Sequence, residues 1–358
     1  MNKSSSINTK RNYISIAKAI GIIFMVVGHS GCPQAVSRFI YIFHMPLFFV
    51  CSGIFFKDIT EKNKLMTFYK KKLHGLYLPY LKWSLLFLIL HNSFRYLHIT
   101  GSRIYTVEDY LNGLVRLLTM TDYELLIRPF WFLKELLLAS LCVATISFLH
   151  SHFLTQTKTI HLLLLSLVLS IFAKFLPPIP LIGDSSVVFL SIAYFYTGIL
   201  IGQYKEYFHT STTLLVITTM IVTFGSILFV GKIDMRFTTA SNTRPYYLLS
   251  LTGVIMIFVL SKKIEGIKGT SALYYIGNNT MPILALNLLA LKAGSLIKIW
   301  IYGMPFDHLA SYTVIYDNNT WFWLLYTIVG VIIPLFLDFI YTQYRNLLKT
   351  FFLKHFEI

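Results

Sequence analysis

Three residues in the first two apolar segments have side chains suited to chemistry. Lys18 and His29 stand in NYISIAKAIGIIFMVVGHSG, and His44 stands in FIYIFHMPLFFVCSGIFF. A charge at the centre of a membrane span costs about 2.5–3.5 kcal/mol, so such residues are rarely incidental. Lys18 and His29 are eleven residues apart. At 3.6 residues per turn that is about three turns, which puts them on one helix face about 16 Å apart along the axis. A histidine titrates near neutral pH and can take up and return a proton. A lysine can hold an anionic group. Plainer readings stand beside these: Lys18 can snorkel to the interface, and His29 and His44 can be satisfied interior histidines, His44 beside a kink at Pro46. Two ionisable residues on one face favour the functional reading.

Composition says that the segments around them cross a membrane. The chain has 358 residues, 56% hydrophobic and 13% charged, with a mean hydropathy of +0.65. Soluble chains run at about 45–50% apolar and about 25% charged. Two or three soluble domains, which the length would allow, would lack the charge to cover their surfaces. An aromatic content of 16% excludes a disordered or collagen-like chain. The remaining fold class is all-α: a polytopic transmembrane helical bundle with no soluble domain. About ten stretches approach the roughly 20 apolar residues that a span needs. They run roughly 13–32, 37–56, 76–97, 129–149, 160–176, 186–203, 212–230, 246–261, 273–295 and 321–343. A single integral membrane domain over 1–358 is expected, with its spanning core at 13–345. The basic run Met1–Arg11 reads as a flank of a retained first span rather than a signal peptide, because Lys18 interrupts the apolar run and no small-residue cleavage site follows.

The net charge of +16 would suggest a nucleic-acid partner in a soluble chain. Here the positive-inside rule explains it, and no nucleic acid is expected. With the N-terminus inside, 17 of the 31 Lys and Arg fall in inside connections, the largest share in 57–75. That orientation puts both termini in the cytoplasm and leaves long outside loops at about 98–128 and 296–320. Cys32, Cys51 and Cys142 form no CxxC pair and read as small hydrophobes; no metal-ligand cluster is expected.

Lys18-x10-His29, followed by His44-Met45-Pro46-Leu47-Phe48-Phe49-x2-Ser52-Gly53, resembles the integral membrane acyltransferase 3 family. Further motifs match in order: Tyr69-Lys70-Lys71-Lys72 with Leu78-Pro79-Tyr80, then Phe130-Trp131-Phe132-Leu133, then Ile276-Gly277-Asn278-Asn279-Thr280-Met281-Pro282-Ile283. The resemblance covers nearly the whole chain. The family usually carries Arg at the position of Lys18 and often His near that of Asn287. Many members are bacterial O-acetyltransferases of envelope polysaccharides.

The resemblance implies acetyl transfer from cytoplasmic acetyl-CoA to a sugar hydroxyl at the outer face of the bacterial inner membrane. The acceptor would be a polysaccharide or its lipid-linked precursor, with membrane lipids around the protein. His29 is the candidate base, or else a transient acetyl carrier. His44 would orient the acceptor or stabilise the oxyanion. Lys18, Lys70, Lys71 and Lys72 are candidate acetyl-CoA contacts, and the last three also serve as a topology signal. Trp131, Asn287, Asp307 and His308 are candidate acceptor contacts, although Trp131 also reads as an interfacial belt residue and the 302–321 stretch as an interfacial aromatic loop. Arg128 and Glu135, seven residues apart, read as a structural ion pair before a donor contact, and Gly198-x3-Gly202 as a helix-packing motif. Asp338 has no evident role. Two rivals stand. Pro-interrupted spans also suit a transporter or polysaccharide export protein, but no pair of matched halves is found. An acyl group other than acetyl, such as succinyl, is equally compatible.

Overall fold

The computed structural model describes residues 12–153, 158–203, 211–231, 233–311, 313–316 and 321–355, without the side chains of 153 and 349–355. The basic run before residue 12 lies outside them. The molecule is 79% helical, and no strand occurs among the described residues. Six helical stretches are long and apolar enough to cross a membrane: Gln34–Ile54, Leu125–His152, Ser185–Gln203, Thr243–Ile264, Thr280–Tyr302 and Phe322–Leu348. Three shorter apolar helices accompany them, Tyr13–His29, Thr159–Phe175 and Thr212–Leu228. Large apolar side chains face outward along these helices, for example Phe172 at 63%, Phe224 at 62% and Phe336 at 58% exposure. Such a surface would aggregate in water but is ordinary against lipid, so the chain is a membrane protein.

The first helices are α1 (Tyr13–His29), α2 (Gln34–Tyr41) and α3 (His44–Ile54). Asn12 caps α1 by accepting the Ser15 N–H at 3.0 Å. Gly31, at φ +78°, sits just past the helix end, and its left-handed conformation stops α1 at His29. Span 2, read as one helix in the sequence, is two. Pro46 is the third residue of α3, where a missing N–H is harmless. One turn earlier its ring would clash with the Ile42 carbonyl, so α2 cannot run on.

Next come α4 (Lys62–Lys72), α5 (Leu78–Ile89), α6 (His91–Tyr96) and α7 (Val107–Leu118). Residues 73–77 form a π-turn, closed by the Leu78 N–H on the Leu73 carbonyl. Pro79 explains it, because the wider turn moves the Gly75 carbonyl out of the path of the proline ring. The stretch 98–128, expected as a loop, contains the amphipathic α7. Thr106 and Asp109 form its capping box, and Arg103 pairs with Asp109. The Thr106 backbone N–H and hydroxyl hold the Asp109 carboxyl below the usual carboxylate range. Val107, Leu111, Leu114, Val115 and Leu118 make an exposed apolar stripe, the pattern of a helix lying in a membrane interface.

The rest of the bundle is α8 (Trp131–Phe153), α9 (Thr159–Phe172), α10 (Ser185–Gln203), α11 (Thr212–Leu228), α12 (Thr243–Ile264), α13 (Ser271–Asn278), α14 (Thr280–Tyr302), α15 (Asp307–Ser311) and α16 (Phe322–His355). The break between α13 and α14 at Asn279 repeats the device at Pro46: Pro282 is again the third residue of the new helix. A 3₁₀ stretch, Leu125–Phe130, precedes α8 and kinks at Ile127. Arg128 therefore does not share the helical period of Glu135, and no ion pair joins them among the described residues. The expected pair is corrected on that ground.

Helix α1 is central and packs on α3, α12, α13, α14 and α16. Backbones meet where glycine removes the side chain. A Cβ on Gly277 would stand 1.8 Å from the Ser15 carbonyl oxygen, which fixes α13 against α1. In the α3–α10 crossing, a Cβ on Gly53 would stand 2.0 Å from the Phe195 oxygen, and one on Gly198 would stand 2.2 Å from the Val50 oxygen. Buried hydroxyls tie α10 to α12, with Tyr194 and Ser250 at 2.5 Å and Thr197 beside Tyr247.

Gly53→Ala is expected to destabilise the bundle by about 1–3 kcal/mol, because backbone cannot yield as a flexible side chain can. Thermal unfolding in nanodiscs checks this, with Gly75→Ala, which has open space around it, as a control that should melt like wild type.

Candidate functional site

Two cavities lie along α1. One, of about 940 Å³, is lined by Lys18, Lys72, His74, Lys82, Asn278 and Asp338, with apolar residues of α1, α3, α8 and α14. The other, of about 510 Å³, is lined by His29, Tyr41, His44, Arg128, Trp131, Asp234, Arg236 and Tyr316, among others. Met25, Met45 and Leu284 line both. These three are 3%, 8% and 6% exposed, so little more than three apolar side chains separates a lysine-side cavity from a histidine-side cavity.

Three helix interruptions border a cavity. The π-turn supplies His74, Gly75 and Leu76 to the lysine side, and the α13–α14 break supplies Asn278, Asn279 and Thr280. The α2–α3 break supplies Tyr41, His44 and Met45 to the histidine side. At that break the Ile40 carbonyl lies 2.9 Å from His44 Nδ1. A carbonyl can only accept, so Nδ1 donates, and in the neutral ring Nε2 is left as an acceptor. That tautomer suits His44 to receive a hydroxyl proton's hydrogen bond rather than to donate to an oxyanion. His29 is the last residue of α1 and half-buried. Tyr41 braces the two histidine elements: its hydroxyl donates to the Gly28 carbonyl at 3.2 Å, and its ring meets His44 edge-on at 5.0 Å.

Trp131 opens α8 at the histidine-side cavity, with the Arg236 guanidinium 5.1 Å from its ring centre. Lys18 and Lys72 line the lysine-side cavity, whereas Lys70 and Lys71 are exposed outside its lining. Asn287 is fully buried behind Leu284 and Leu288, its amide donating to the Ile283 and Leu284 carbonyls; it does not line the cavity. Asp307 and His308 do not line it either. Asp307 is exposed, 3.8 Å from His98 Nδ1. The stretch that follows them does reach the cavity, through Ser311, Thr313, Val314 and Tyr316. Among the described residues no group of three His, Cys, Asp or Glu is placed to hold a metal ion.

Several residues here escaped the sequence reading. Asp338, which had no evident role, lines the lysine side beside Lys82. Tyr41, Arg236 and Asp234 carried no signal, being ordinary in a connection or at a helix end. Lys292 did carry one. It interrupts an apolar run as Lys18 does, and the same cost argument applies to it.

Comparison with curated proteins and with solved structures returns no significant match. A family model described as an acyltransferase domain matches residues 11–339, which takes in every residue that lines the two cavities. With most of its length matched in this way, the chain belongs to the acyltransferase 3 family.

Proposed function

We propose that the protein moves an acetyl group from cytoplasmic acetyl-CoA to a sugar hydroxyl outside the bacterial inner membrane. The acceptor is an envelope polysaccharide or exopolysaccharide, or its lipid-linked precursor. The observation that carries this reading is the pair of cavities joined at Met25, Met45 and Leu284, with Lys18 in one and His29 in the other. A donor confined to one side of a membrane and an acceptor confined to the other need such an arrangement. The narrow junction favours a small acyl group. In this reading the chain is one membrane domain of about ten spans with cytoplasmic termini and no soluble domain. The lysine-side cavity opens inward and the histidine-side cavity outward.

The chemistry then requires few groups. Lys18, Lys72, His74 and Lys82 offer cationic or donor groups to the phosphates of CoA, and the acyl end reaches the junction. An acceptor hydroxyl enters from the histidine side. His29 removes its proton as the oxygen bonds to the acetyl carbonyl carbon. The carbon–sulfur bond breaks, and the CoA thiolate takes the proton back from the imidazolium. His44, with Nδ1 committed to Ile40, orients the hydroxyl. Trp131 gives the sugar ring an apolar face.

Three outcomes test this. Deleting the gene should remove ester-linked acetate from purified surface polysaccharide while the polymer remains, and His29→Ala should lower transfer by at least about 10²-fold. Unchanged acetate in both strains would overturn the enzyme reading, and polymer trapped inside would point to export. Lys18→Ala and Lys72→Ala should raise KM for acetyl-CoA, with Lys18→Arg close to wild type. Lys70→Ala and Lys71→Ala should change it less, since neither lines the cavity; steady-state kinetics in nanodiscs decide. A reporter fused near residue 65 should be cytoplasmic and one near 310 external.

A further inference from the structure

Three residues on one face of α14 grip the stretch that follows it. Lys292, Ser295 and Lys298 are spaced by three, so they stack along the helix. All are buried, at 3%, 0% and 1% exposure. Lys292 Nζ donates to the Leu309 carbonyl. Ser295 Oγ donates to the Thr313 carbonyl at 3.1 Å, and Lys298 Nζ to the Ile315 carbonyl at 2.6 Å. From α16, the Tyr326 hydroxyl accepts the Ile315 N–H at 3.2 Å and lies 3.0 Å from Ser295 Oγ. Lys298 Nζ also stands 5.0 Å from the centre of the Phe322 ring.

This fastening is more than a loop anchor, because of what the fastened residues do. Ser311, Thr313, Val314 and Tyr316 form a wall of the histidine-side cavity. Val314 and Tyr316 also pack on Gly31, two residues beyond His29; a Cβ there would stand 3.0 Å from Val314 Cγ1. Hydrogen bonds from a charged donor are stronger than neutral ones. A buried ammonium in turn needs its acceptors, since desolvation without them is costly. Lysines and carbonyls therefore hold each other in place.

We propose that Lys292 and Lys298 are positioning residues that strap 309–311 and 313–316 down as the acceptor wall beside His29. The proposal rests on the acetyl-transfer reading for its acceptor clause, but the strap itself does not. Lys298→Met and Lys292→Met, in full-length protein in nanodiscs, should speed amide hydrogen exchange in 309–316 by about tenfold or more, a charged hydrogen bond being lost. With the surface polysaccharide of the source cells, de-esterified by mild alkali, as acceptor, its KM should rise about tenfold. KM for acetyl-CoA should stay within twofold. Lys298→Arg should restore most of both readouts, and Ser295→Ala should give a weaker version if a lysine variant does not fold. Unchanged exchange overturns the strap. Faster exchange with an unchanged acceptor KM overturns the positioning role. Wild-type protein that transfers no acetyl group overturns the functional reading and the acceptor clause with it, while the exchange measurement still decides the strap.

Discussion

In hydrocarbon a backbone N–H or C=O without a partner costs several kcal/mol, so a chain that crosses a membrane must keep its helices intact or repair every break. This molecule breaks them at 42–43, at the 73–77 π-turn and at Asn279, each time ahead of a proline that cannot donate and cannot tolerate the carbonyl one turn back. All three breaks border a cavity. At the first, the Ile40 carbonyl accepts the Phe43 N–H at 3.2 Å and the His44 ring at 2.9 Å. One carbonyl thus closes the last turn of α2 and sets the tautomer of a candidate catalytic histidine.

The breaks would be useless if the helices around them drifted. Glycine contacts prevent that, since at the α1–α13 and α3–α10 crossings nothing but backbone separates the axes. The result is one rigid rod, α1, carrying Lys18 to one cavity and His29 to the other. Three apolar residues from α1, α3 and α14 meet between them. The strap from α14 and α16 then holds one wall of the histidine side.

Membrane character and the Lys18–His29 relation were legible in the sequence because helical period and the cost of charge in lipid act locally. The prolines were visible too, but span 2 still read as one helix, since apolarity runs on through Ile42 and Phe43. The Arg128–Glu135 pair failed because spacing rules hold within a helix, and the 3₁₀ stretch before α8 changes the register. Lys298 was placed in a loop because Gly294 and Ser295 interrupt the apolar run, which α14 carries on to Tyr302.

What the sequence alone determined was therefore the solvent of the molecule, its helical class, its family motifs and the residues too costly to be idle. The tertiary structure decided which of those residues share a space. It separated Lys72 from Lys70 and Lys71, set Asn287, Asp307 and His308 off the cavity, and brought in Tyr41, Arg236 and Asp338 from distant helices and connections. The physical reason is range. Solvation and helical period are written in neighbouring residues, whereas a cavity is made by side chains whose meeting depends on how close two backbones can come.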